Sequence, residues 1–322
     1  MFAPTRRSLI AGLAAAPLVS HAHAQSFGRF AVVMNSGEDT LSILDIDRYA
    51  EVERRPAPRE PHHWALSPDR TELVIGSSAA NALTILSTAT GREVRRIDRF
   101  SNPYHLLFSP DGRFLVIAEL RLDAVSIYRA ADLTLLRRIR VPRQCSHIVI
   151  TPDSRFAYVT VQLTGKVVEV DLEALEITWT VDVGPEPAGI VLSADSTTVA
   201  VAVMGADYIT LLNRAERRIA GRVRTGRGAH AFPQLYDADT LFISNRVENT
   251  ISQLDTQTKA VRRTIPIPGG PDCFALSPDK SELWITGRVN HQVMVMDVAT
   301  GQLKHRIRVG RSPHGIYLPP FA

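Results

Sequence analysis

Ala31-Val-Val-Met-Asn35, Leu73-Val-Ile-Gly-Ser77, Leu115-Val-Ile-Ala-Glu119, Ala157-Tyr-Val-Thr-Val161, Val199-Ala-Val-Ala-Val203, Leu241-Phe-Ile-Ser-Asn245 and Leu283-Trp-Ile-Thr-Gly287 begin at a constant interval of 42 residues. Each is a short apolar run rich in β-branched residues, the composition of a strand buried on both faces. A period near 40 built from short strands means that one supersecondary unit is repeated, each copy covering its hydrophobic faces with its neighbours. Equivalent positions of a closed ring then converge on one axis, so the period also serves as a ruler for finding a site.

One unit reads clearly in the second copy. His63-Trp-Ala-Leu-Ser67 is a short strand, Pro68-Asp69-Arg70 a turn, and Glu72 to Ser77 a second strand. Ala82-Leu-Thr-Ile-Leu86 is a third, alternating strand, and Glu93 to Asp98 a fourth whose polar residues suit an outer edge. Strand lengths and turn chemistry fit a four-stranded antiparallel meander. The sequence therefore predicts an all-β fold, a seven-bladed β-propeller of four-stranded antiparallel blades, which leaves only short, protected sheet edges. The chain enters on a second-type strand, Arg29 to Asn35, and ends on a first-type strand, His314 to Pro319. The C-terminal strand is expected to complete the blade that the N-terminus begins.

Residues 25–322 read as a single propeller domain, and residues 1–24 as a cleavable export signal. Arg6-Arg7-Ser8-Leu9-Ile10 precedes a small-residue apolar stretch, and Ala22-His23-Ala24 is a small-x-small cleavage site. The arginine pair resembles a twin-arginine signal, and a periplasmic location is expected. No later apolar run is long enough to cross a bilayer. Net charge is +4, or about +2 without Arg6 and Arg7, which gives no bulk drive towards nucleic acid. A monomer is expected.

Ser109-Pro-Asp-Gly112, Ala157-Tyr-Val-Thr160, Asn249-Thr-Ile-Ser252, Asp297-Val-Ala-Thr-Gly301 and Val309-Gly-Arg-Ser-Pro-His-Gly315 resemble the YVTN-type (YncE-like) β-propeller repeat over the whole mature chain. The resemblance implies a seven-bladed, often extracytoplasmic propeller. Propellers of this shape include scaffolds, lactonases and metal enzymes, and some YVTN-type proteins are linked to single-stranded DNA, so the resemblance fixes no activity.

The ruler sorts the repeated residues. Asp69, Asp111, Asp153, Asp195, Asp237 and Asp279 fall in the turn between first and second strands, where Asp bonds its own backbone. Asp45, Asp171, Asp255 and Asp297 do the same after the third strand. Trp64, Trp179 and Trp284 lie on strands and are expected to pack. The start of the innermost strand differs from copy to copy: His63, His105, His147, Gly189, Ala231, Cys273 and Gly315, preceded by His62, Tyr104, Ser146, Ala188, His230, Asp272 and His314. Six of the ten histidines fall on these two columns. Imidazole is the commonest neutral metal ligand, and several converging from separate strands suit copper, iron or zinc. His63, His105 and His147 are the first expected ligands, with His62, His230, His314 and Cys273 further candidates. Asp272 or Glu119 is expected to orient a ligating imidazole. Cys145 and Cys273 stand three blades apart, too far for a disulfide.

Arg59, Arg143, Arg227 and Arg311 share a column four residues before the histidine column. Arg246 and Arg288 fall in loops on the same face, and Tyr104, Glu119 and Asn245 are expected close to the mouth. A collar of guanidinium groups suits a small anionic ligand. There is no glycine-rich phosphate loop, no HExxH pair, no CxxCH and no GxSxG elbow. Basic residues interleaved with aromatics are absent, which argues against a nucleic-acid partner. Three functions follow as expectations: a transition-metal or anion site at a channel mouth, with redox or hydrolytic chemistry; a non-enzymatic scaffold for a periplasmic protein or peptide partner; and a metal-independent, lactonase-like hydrolase.

Overall fold

The computed structural model of the protein describes residues 29–233 and 239–319. The expected leader and Asp237 lie outside these residues. Seven antiparallel sheets form a ring. In the first, Phe30–Asn35, Thr40–Asp45 and Ala50–Pro56 are joined on the inside by Pro313–Tyr317, which pairs Tyr317 with Val32 and Ile316 with Val33. This is the closure expected from the chain ends. The second sheet runs Pro61–Leu66, Glu72–Ser77, Ala82–Ser87 and Glu93–Ile97 from the axis outwards. The blades that follow repeat it with inner strands Pro103–Phe108, Cys145–Ile150, Pro187–Leu192 and Pro271–Leu276.

In the sixth blade the inner stretch runs up to residues that the structure does not describe. The blade's described strands are Thr240–Asn245, Thr250–Asp255 and Ala260–Pro266. The inner place is taken by a short stretch that touches the sheet through an isolated bridge, Ala229 to Asn245.

Second and third strands are buried almost throughout, because both their faces meet neighbouring blades. At the closure, Trp284, Val293 and Val295 of the last blade pack on Ala31, Val33, Leu44 and Ile316 of the first. Burying each such aliphatic side chain is worth roughly 1.5–3 kcal/mol, and here that burial binds the two ends of the chain. Fourth strands alternate exposed and half-buried residues, as edge strands do. The turn aspartates behave as their chemistry requires: Asp69 accepts from Ser67 Oγ and from the backbone N–H of Thr71, and Asp279 from Ser277 Oγ and the N–H of Ser281.

One local feature recurs in every blade and decides the site. The residue two before each His62-equivalent position has positive φ: Glu60, Asn102, Gln144, Glu186, Gly228, Gly270 and Ser312. In six blades the register of the inner strand then shifts. Pro61 faces Ser77 and Trp64 faces Ile75, so His62 and His63 together oppose Gly76 alone. In the sixth blade, His230 N–H donates to Ser244 O, and Ser244 N–H to Ala231 O, giving the same two-against-one count. This is a β-bulge, which re-aims side chains that would otherwise alternate. Hydroxyls opposite the bulge tie it to the next blade. Thr160 Oγ1 donates to Ala188 O at 2.9 Å, Ser244 Oγ to Asp272 O at 2.8 Å, and Thr286 Oγ1 to His314 O at 2.8 Å.

Among the described residues no helix is long and apolar enough to cross a membrane.

Candidate functional site

Consecutive residues on a regular strand diverge to opposite faces. The bulge cancels that divergence, and both columns enter the channel at different depths. His62, Tyr104, His230 and His314 border a polar cavity of about 340 Å³ on the face carrying the loops between second and third strands. His63, His105, His147 and Cys273, with Gly189, Ala231 and Gly315, border a second cavity of about 570 Å³ on the other side. The two columns form a plug across the ring with a cavity above and below.

Within the plug the rings pack closely. His63 lies 4.6 Å from His105, 4.9 Å from His147 and 4.6 Å from His314 between centroids, each pair edge to face. His62 is 4.8 Å from His314 and 4.9 Å from Tyr104. Burial disfavours the imidazolium form throughout. It lowers His62 to about 4 and His105 to about 3, and holds His63, His147 and His314 well below their ordinary range. These are neutral imidazoles with a lone pair each, the form that ligates metals. Among the described residues, four ring nitrogens of the plug are buried without a hydrogen-bond partner: Nδ1 of His62 and His105, and Nε2 of His63 and His147. An unpaired buried polar atom costs roughly 1–3 kcal/mol, so a set of them is a feature the fold tolerates for a reason.

Asp272 is the one carboxylate in the plug. Its Oδ2 accepts from Arg288 Nη1 at 2.9 Å, and its Oδ1 lies 2.9 Å from His230 Nδ1 and 3.6 Å from Arg246 Nε. The His230 contact is close but off the hydrogen-bond line. Burial pushes the carboxyl up, but the close contact with His230 and the Arg246 guanidinium outweigh it and hold Asp272 well below the usual carboxylate range. Cys273 points the other way: burial and the Asp272 charge raise its thiol well above the ordinary value. Its Sγ is 3.8 Å from His314 Nδ1.

Among the described residues, two groups of possible ligand atoms lie within 4.8 Å of one another: His63, Cys273 and His314, and His230, Asp272 and His314. The trio expected first, His63, His105 and His147, is not among them. Their rings meet edge to face or tilted, 46–79° between planes. Of that trio, His63 alone falls in either group.

Several expectations are corrected by position. Glu119 is buried away from the channel, accepting from Ser126 Oγ at 2.7 Å and pairing with Arg138 at 2.9 Å. Asn245 donates to Thr250 and Ser252 within its own blade. Both end second strands whose side chains turn towards the third strand, not the axis. Arg59, Arg143, Arg227 and Arg311 stand exposed on the outer rim of the loop face, and none borders the polar cavity. Arg246 and Arg288 do border it, together with Arg121 and Glu60, which sequence reasoning missed. Arg121 Nη2 sits 2.6 Å from Glu60 Oε2. The non-repeating charge pair in adjacent blades was the only available signal. Both thiols are free, as expected. Cys145 is fully buried, its Sγ donates to Ala124 O at 2.8 Å, and burial pushes it up to about 12.

A family model for the YNCE-like beta-propeller matches residues 7–321. No curated protein matches the chain. Among solved structures, the dihydro-heme d1 dehydrogenase NirN in complex with DHE is similar with a TM-score of 0.69 and 16% identity, over 95% of this chain and 78% of that one. The Kuenenia stuttgartiensis hydrazine synthase aligns with a TM-score of 0.67 and 19% identity, over 78% of this chain and 87% of the other. A functionally unknown protein from Desulfotomaculum acetoxidans DSM 771 gives a TM-score of 0.78 and 15% identity, over 90% and 99%. At such identities the likeness is one of fold.

Proposed function

The chain belongs to the YNCE-like β-propeller family, and from that fold we propose that it is a transition-metal-binding propeller whose plug holds one ion between Cys273, His63 and His314. The observation that carries this reading is the convergence of a thiol and two neutral imidazoles within 4.8 Å, in a plug where other buried ring nitrogens lack partners. Tetrahedral coordination with bonds of about 2.0 Å to nitrogen and 2.3 Å to sulfur places ligand atoms roughly 3.3–3.8 Å apart, so small side-chain rotations close the site. Thiolate with imidazole selects copper or zinc over magnesium or calcium. When bound, such an ion supplies a Lewis acid or a redox centre.

The rest of the chemistry belongs to the chain. Asp272 balances Arg246 and Arg288, and its Oδ2 lies 3.8 Å from Nε2 of His314, the imidazole that both ligand groups share. Arg121 is paired with Glu60, but Arg246 and Arg288 exceed the single charge of Asp272 and leave the polar cavity a positive balance that favours small anions arriving from the loop face. We also propose export to the periplasm, supported by the twin-arginine-like start of the sequence; N-terminal sequencing of the mature protein from the periplasmic fraction, beginning at Gln25, is the expected result.

The test is metal content. The protein, purified without a histidine tag and reconstituted with copper, zinc or Fe(II), is expected to retain one ion per chain by mass spectrometry. Cys273→Ala with His314→Ala is expected to retain none. Substoichiometric metal in the wild type after reconstitution rejects the reading.

A further inference from the structure

The cavity below the plug has no part in the metal reading except at its floor. It measures about 570 Å³ and its wall is apolar, with Trp64, Leu107, Val149, Phe232, Phe274 and Leu276 among the lining side chains. The outer end is formed by the Ser67-Pro68 and Ser109-Pro110 turns, with Arg70 as the lone charged side chain among the lining residues. The floor is the second column, where His63 Nε2 and His147 Nε2 are buried without a partner. A concave, mostly apolar volume of this size, with a few polar atoms at one end, is the form that small-molecule sites take. A channel meant only to pass water or ions has no use for such walls, because each apolar side chain facing it forgoes burial.

We infer that this cavity is a binding site for a neutral, aromatic or branched-aliphatic small molecule that enters from the face opposite the polar cavity and places a single hydroxyl or carbonyl on His63 and His147. A charged head is disfavoured, since the imidazoles at the floor are neutral and the lone charged lining side chain, Arg70, stands by the turns at the outer end. An apolar body covers the wall, and the polar head gives the orphaned nitrogens the hydrogen bonds they lack. His63 belongs both to this floor and to the proposed metal set, so the two cavities, with opposite chemistry, would meet at one side chain. The inference goes beyond the metal reading and does not require it.

The experiment uses the full chain after EDTA treatment, with 2-naphthol and naphthalene as probes. Saturable 2-naphthol binding at one equivalent, followed by the fluorescence anisotropy of the probe, is expected, with naphthalene weaker by roughly three- to tenfold for want of the head-group hydrogen bond. Val149→Trp, which projects bulk into the cavity, is expected to weaken both probes at least tenfold while melting like the wild type. His147→Phe is expected to bring 2-naphthol down to the level of naphthalene. Absence of saturable binding overturns the inference, as does a Val149→Trp variant that binds both probes as the wild type does. If Val149→Trp fails to fold, Ala275→Phe on the same wall replaces it, with the same two outcomes. Because the ion has been removed, these results are independent of the metal assay.

Discussion

The two columns of the plug are one residue apart in sequence, and they live in different electrostatic worlds. The first column, with His62, His230 and His314, is coupled to charge: Asp272 with Arg246 and Arg288 beneath a polar cavity. The second, with His63, His105 and His147, faces an apolar cavity. The difference teaches that a bulge repeated around a ring can separate two functions that a regular strand would send to opposite sides of the sheet.

The largest expected effect breaks the charged side. Asp272→Ala leaves two guanidinium groups facing a buried space with no anion, and removing one partner of a buried charge set costs about 3–5 kcal/mol. A urea midpoint shift corresponding to less than about 1 kcal/mol would show that the column is not held by charge. Next comes acid. In the metal-free protein His62 titrates at about 4 and His105 at about 3, both lowered by burial from about 6.5. The unfolded chain therefore takes up their protons first, and their contribution is intact above about pH 6.5 and lost as pH falls towards the folded values. Each contributes about 1.4 kcal/mol per pH unit in that window. Asp272 is held down in the folded state, so its contribution persists until pH falls below about 3.9. Stability measured between pH 6.5 and 4 is expected to fall with a slope that His105→Phe reduces by one proton; an unchanged slope contradicts neutral burial.

Smaller effects sharpen the contrast. Thr286→Val removes the hydroxyl that bonds His314 O and Cys273 O, and about 1 kcal/mol of stability should go with it. His105→Phe at pH 7.5 is expected to be neutral or slightly stabilising, because it replaces a ring with an unpaired buried nitrogen by an apolar one. A loss of more than about 2 kcal/mol there would mean that the second column is a structural network and not a poised site.

The ring was legible because spacing is a property of sequence: the 42-residue interval, the turn aspartates and the orphan strand at His314 together specify seven blades and their closure. The columns were legible for the same reason. What the sequence did not contain was the bulge, since the residues opposite it vary from Gly76 to the hydroxyl residues Thr160 and Thr286. Without it, the depth of His63 relative to His62 and the aim of each ring were out of reach. Glu119 and Asn245 were misplaced by the same uncertainty of strand phase, one residue deciding between axis and neighbouring strand. The arginine column was real as a column, but a repeat position says nothing about whether a long side chain leans inward or outward.

Cobalt(II) titration of the metal-free full chain tests the central claim most directly, because a cobalt–thiolate bond gives a near-ultraviolet charge-transfer band. The account predicts a band that saturates at one equivalent in the wild type and is absent from Cys273→Ser. No band in the wild type, or an undiminished band in Cys273→Ser, would contradict it.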